Sequence, residues 1–133
     1  MTTGSSPTSL TDEAVLDGAA THPSEPRRMA LIDELARRAL KDDRLLAPAI
    51  GAITAERAIR PRGPALGWAG AGRLLDSGND RAVRVLLRAV ERWSADEQRD
   101  LVGLWAGRGQ LASATARLTE RYGFAPAYVA EAG

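Results

Sequence analysis

A chain of 133 residues is long enough to close one hydrophobic core and too short for two, and it carries no cysteine, one histidine, 17 arginines and one lysine. Without cysteine there is no disulfide framework, and the lone His22 sits in a proline-punctuated connector, so the side chains that most often serve nucleophilic, metal-assisted and neutral-pH proton chemistry are missing. A formal charge of +1 excludes the broad basic field that non-specific DNA binding needs, which makes a nucleic-acid partner unexpected.

Residues 1–9 are small and polar and are expected to form a disordered tail ahead of an α-helical domain over 10–133. The start lacks a basic n-region and an apolar h-region, and no stretch approaches the roughly 18 apolar residues of a membrane span, so a cytoplasmic chain is expected. Thr11 followed by Asp12 and Glu13 predicts a short helix through Ala20. Ser24 caps a stronger one, in which Met29, Ile32, Leu35, Ala36, Ala39 and Leu40 recur at three and four residues. Pro48 is tolerated in a helical first turn and predicts a helix to about Arg60 with Ile50, Ile53 and Ile59. Arg60-Pro61-Arg62-Gly63-Pro64 then breaks the chain. Residues 64–78 read equally as a glycine-rich helix, with Gly67, Gly70, Ala71 and Leu74 on one face, or as a loop.

Asn79 opens an amphipathic helix to Trp93, with Val83, Leu86, Leu87 and Val90 inward and Arg81, Arg84, Arg88 and Arg92 opposite. Ser94-Ala95-Asp96-Glu97 has the spacing of a capping box and starts the next helix, which carries Leu101, Leu104 and Trp105 and stops at Gly107-Arg108-Gly109. A last long helix places Leu111, Ala114, Thr115, Leu118 and Tyr122 on one side and stops at Gly123. No period-two strand pattern is present, so the expected fold is all-α, a single domain of five to seven helices ending in an antiparallel helical hairpin. With 25 alanines beside only 27 Leu, Ile, Val and Phe residues, the helix stripes bury little area each, and a homodimer is expected to cover what one copy leaves exposed.

Leu101, Trp105, Gly109, Leu111, Ala114, Leu118 and Pro126 resemble, over one repeat length, the packing positions of a tetratricopeptide helix pair, with Val102 where that family has a small residue. The resemblance implies a helical hairpin rather than a peptide-binding array, because no second repeat matches upstream. Residues 118–129 also look like a helix-turn-helix core, but Ala125, Ala127, Ala130 and Glu131 are poor readers of base edges.

The arginine stripe over 81–92 has no aromatic residue interleaved and reads as the solvated face of an amphipathic helix. The glycine-rich run 67–72 follows no strand and lacks a phosphate-loop lysine, and the carboxylates are dispersed, so no cofactor and no metal are expected. The candidate ligand-binding residues are Arg57, Arg60, Arg62, Trp68 and Arg73, converging on the 57–73 bend, with Glu56 either a base or the ion-pair partner of Arg60. The expected function is binding of a peptide, protein or small metabolite. Two alternatives stand beside it: a tailoring enzyme of natural-product metabolism that works by positioning its substrate, and a transcriptional regulator. The arginine bias is what a GC-rich, actinobacterial genome would supply.

Overall fold

The computed structural model describes residues 7–56, 70–106 and 109–132, and these residues are helical, with no strand among them. Eight α-helices are present among the described residues, one more than the upper expectation, because the six-residue segment Ala127–Ala132 after Gly123 is helical too.

The chain begins with a 3-10 turn, Pro7–Ser9, within the segment expected as tail. Thr11 Oγ1 accepts the Ala14 N–H at 3.2 Å and starts α1, Asp12–Thr21. Ser24 caps α2, Glu25–Ala39, whose apolar spacing puts Leu31, Ile32, Leu35, Ala36 and Ala39 inward. The connector between them is tied by Arg28, which donates to the His22 carbonyl at 2.8 Å, while the Ser24 N–H donates to His22 Nδ1.

The third helix, α3, spans Leu46–Ala55. It starts two residues before Pro48, because Asp42 caps a 3-10 turn, Asp43–Leu45, that runs straight into it. Pro48 still lies in the first turn, where an N–H would have no helical partner. The expected continuation to Arg60 and residues 64–69 of the ambiguous segment lie outside the described residues. Its described part forms a five-residue helix, α4, Ala71–Leu75.

Asn79 Oδ1 accepts the Ala82 N–H and starts α5, Asp80–Val90. This helix ends three residues short of Trp93. The N–H groups of Glu91, Arg92 and Trp93 bond back three residues rather than four, and Gln98 Nε2 adds a second donor to the Val90 carbonyl at 2.8 Å. The capping box forms as the spacing predicts: the Glu97 N–H donates to Ser94 Oγ at 3.2 Å and the Ser94 N–H to Glu97 Oε1 at 3.0 Å, opening α6, Ala95–Ala106. Ser94→Ala is expected to lower stability by about 1 kcal/mol, read as a shift of the denaturation midpoint with an unchanged slope. The last two helices are α7, Gln110–Tyr122, and α8, Ala127–Ala132.

Helix α2 is the hub of the first half and lies against α1, α3 and α4; α5 joins the halves by contacting α3, α4 and α7, and α6 lies against α7 and α8. Ile32, Leu35, Ile53, Leu74, Leu86, Leu87, Leu101, Leu111 and Leu118 are fully enclosed within one apolar cluster, which also takes in Trp93 and Trp105. Among the described residues Tyr122 is the large apolar side chain left exposed, at 52%. The alanines of the inward faces, Ala19, Ala36, Ala39, Ala49, Ala82 and Ala114, are buried in the same cluster.

Candidate functional site

The two described members of the expected 57–73 site are each taken up by another helix. Glu56, just past the end of α3, accepts from Arg28 Nε at 3.1 Å and Nη2 at 3.0 Å, and both side chains are 16% exposed. This two-pronged pairing ties the carboxylate to α2, while Arg60, its expected partner, lies outside the described residues. Arg73 on α4 makes the same two-pronged contact with Asp33 on α2, at 3.0 and 2.8 Å. Arg57, Arg60, Arg62 and Trp68 lie outside the described residues.

The stripe on α5 has a different character from the one its local sequence suggests. Burial of Val83, Leu86, Leu87 and Val90 leaves Arg81, Arg84 and Arg88 on the outer side, and each finds a partner from elsewhere in the chain. Arg81 pairs with Asp43 at 2.9 Å. The Arg84 guanidinium lies over the Tyr122 ring, 4.6 Å from its centroid, and that of Arg88 lies over Phe124 at 5.2 Å. These are cation–π distances, and the rings come from the end of α7 and the turn after it. Aromatic residues are interleaved with this stripe after all, from 36 and 38 positions further along the chain.

The turn that delivers them depends on Gly123. It takes φ 67°, a left-handed conformation that glycine adopts without strain, and its N–H closes α7 on the Thr119 carbonyl. Helix α8 then anchors the turn through Tyr128, whose hydroxyl is buried and donates to the Leu87 carbonyl of α5 at 2.7 Å. Burial pushes this hydroxyl well above the usual phenol range, so it remains a donor. Tyr122 does not follow Leu118 into the core. It lies one turn further along, on the rim, beneath Arg84.

Charge on this face is unevenly matched. Arg117 and Arg121 of α7 both bond to Asp80 at the start of α5, and the Arg117 contact in particular holds that carboxyl below its ordinary range. Two guanidinium groups thus share one carboxylate. Among the described residues Arg84, Arg88 and Arg92 form no ion pair, even though Glu91 and Glu120 lie on neighbouring stretches. The face is a patch of unneutralised cations, two of them braced by aromatic rings.

Other chemistry has less support. Among the described residues no group of three or more His, Asp or Glu side chains is placed to hold a metal ion, and no helix is long and apolar enough to cross a membrane. The segment that looks like a recognition helix is the six-residue α8, held to the core by Tyr128. Comparison with known families, with curated proteins and with solved structures finds no match for this chain.

Proposed function

We propose that the chain is a small α-helical binding protein that receives an acidic peptide or protein partner on the face formed by Arg84, Arg88, Tyr122 and Phe124. The observation that carries this reading is how the arginines are held. An arginine fixed by a carboxylate has spent its charge, whereas one fixed over an aromatic ring keeps both its charge and its in-plane N–H donors. Arg84 and Arg88 are therefore preorganised for an incoming anion, which lowers the entropy lost on binding. The expected antiparallel pairing of α6 and α7 would serve as the frame that holds the rings in place.

This reading favours a different molecule over the homodimer expected from composition. A second copy applied through the same face would set like guanidinium pairs against each other, and the large apolar side chain exposed there among the described residues is Tyr122 alone.

A titration of the isotope-labelled protein with a poly-glutamate peptide tests the proposal. Amide shifts are expected to cluster on α5 and at residues 121–124, to fade as salt is raised, and to vanish in the Arg84→Ala/Arg88→Ala variant. Shifts centred on residues 56–73 would instead move the site to the bend.

A further inference from the structure

Resting on that reading, we infer that the acidic partner presents a helix with two carboxylates four residues apart, and that Arg84 and Arg88 each take one of them. The two arginines lie at i and i+4 on α5, so their stems leave the helix about 6 Å apart on one side. A partner helix with Glu or Asp at i and i+4 repeats that interval, and the two rows meet without distortion of either backbone. The ring beneath each guanidinium leaves the edge donors as its free recognition elements, and the fork of a guanidinium edge matches a carboxylate. Half-exposed Tyr122 lies beside Arg84 and offers an apolar contact to a residue flanking the acidic pair.

A single-stranded nucleic acid is the main competitor, since arginine and aromatic residues together are its usual receptors. Two features of this face argue against it. Base stacking needs open ring faces, but one face of each ring is already covered by a guanidinium, and Phe124 is half-buried besides. A strand also needs a long basic track, of the order of 6 to 10 phosphate contacts for strong binding. Here the track is short: Arg81 is neutralised by Asp43, and Arg117 and Arg121 share Asp80.

The test compares three probes by fluorescence anisotropy on the full chain: an alanine-rich helical peptide with glutamates in i,i+4 pairs, a peptide of the same composition with glutamates at i,i+2, and an oligothymidylate. The paired peptide is expected to bind about ten-fold tighter than the i,i+2 peptide, which splits its charges between opposite faces, and to lose that advantage in Arg84→Ala/Arg88→Ala. Arg84→Lys/Arg88→Lys, which keeps charge but not the planar fork, is expected to lose most of it too, and guards against a variant that misfolds. Equal binding of the two peptides, with both lost in the alanine variant, overturns the helical match while leaving the acidic-partner face standing. Tighter binding of the oligothymidylate than of either peptide replaces carboxylates with phosphates and overturns both. Binding of every probe unaffected by either double substitution shows that the face is not the site at all.

Discussion

Glu34→Ala is expected to remove about 3 kcal/mol of stability, because among the described residues Glu34 is the buried charged side chain. The Glu34 carboxylate is 5% exposed and accepts from Arg37 Nε and Nη2 at 2.9 and 2.6 Å and from Arg38 Nε at 2.7 Å. Its removal leaves the Arg38 guanidinium, itself 13% exposed, short of the carboxylate that balances it in the interior. Breaking a buried pair from one side usually costs about 3 to 5 kcal/mol, and the lower end applies because Asp12 and three backbone carbonyls still hold Arg38. The same contacts, chiefly the hydrogen bond from Arg37, lower the Glu34 pKa from 4.5 to about 2. A carboxyl whose pKa falls on folding adds stability above its unfolded value and loses it as pH drops toward its folded value. Wild type and Glu34→Gln should therefore differ fully at pH 6 and converge between about pH 4.5 and pH 2, a window read from denaturant midpoints at each pH. A gap that stays constant across that range would mean that packing, rather than charge, sets the effect.

Gly72→Ala is expected to destabilise by about 1 to 3 kcal/mol, although alanine is the better helix former. A Cβ at residue 72 would meet the six-membered ring of Trp105 at 2.6 Å, with two more ring atoms at 3.0 and 3.2 Å. Trp105 of α6 is buried in the core with its ring against α4. Gly51→Ala supplies the contrast, because it too lies in a helix but nothing stands within 4 Å of its added carbon. That substitution should stabilise by about 0.4 to 1 kcal/mol through the unfolded chain. Trp105→Leu should recover part of the Gly72→Ala loss in a double-mutant cycle. Equal midpoints for Gly72→Ala and Gly51→Ala would show that α4 yields to the extra carbon.

What the sequence made legible was local. Thr11, Ser24, Asn79, the Ser94–Glu97 box and Gly123 act within about four residues, the first four opening a helix and the last closing one where their chemistry says they should. What it hid was long-range pairing. Glu56 takes both hydrogen bonds of an Arg28 fork from 28 residues away, a partner that nothing in its local sequence points to. Arg73 looked like a free cation beside glycines and is paired with Asp33, 40 residues upstream. Gly70, read as sharing a packing face with Ala71 and Leu74, does lie close against Ala36, Ile32 and Ile53, and Gly72 adds a second close approach, to Trp105 of another helix; Gly67 lies outside the described residues. The basic stripe lacked aromatic residues only within its own window. Tyr122 looked like the last member of an inward row, but that row leaves the core after Leu118, and the tyrosine at its end is free to lie beneath Arg84.

Arg38 reaches across from α2 to the carbonyls of Pro7, Thr8 and Leu10 at 3.0, 3.4 and 2.7 Å, and so grips the leading segment by its main chain. A carbonyl oxygen is offered by every residue type, so this grip is blind to the side chains it passes. Positions 7 and 8 can drift through many replacements and keep their attachment, whereas position 38 tolerates almost none, since even lysine lacks the fork that spans several acceptors at once. Mutational tolerance at this end of the molecule is thus lopsided: a permissive strip of chain depends on one restrictive residue that is distant from it in the sequence.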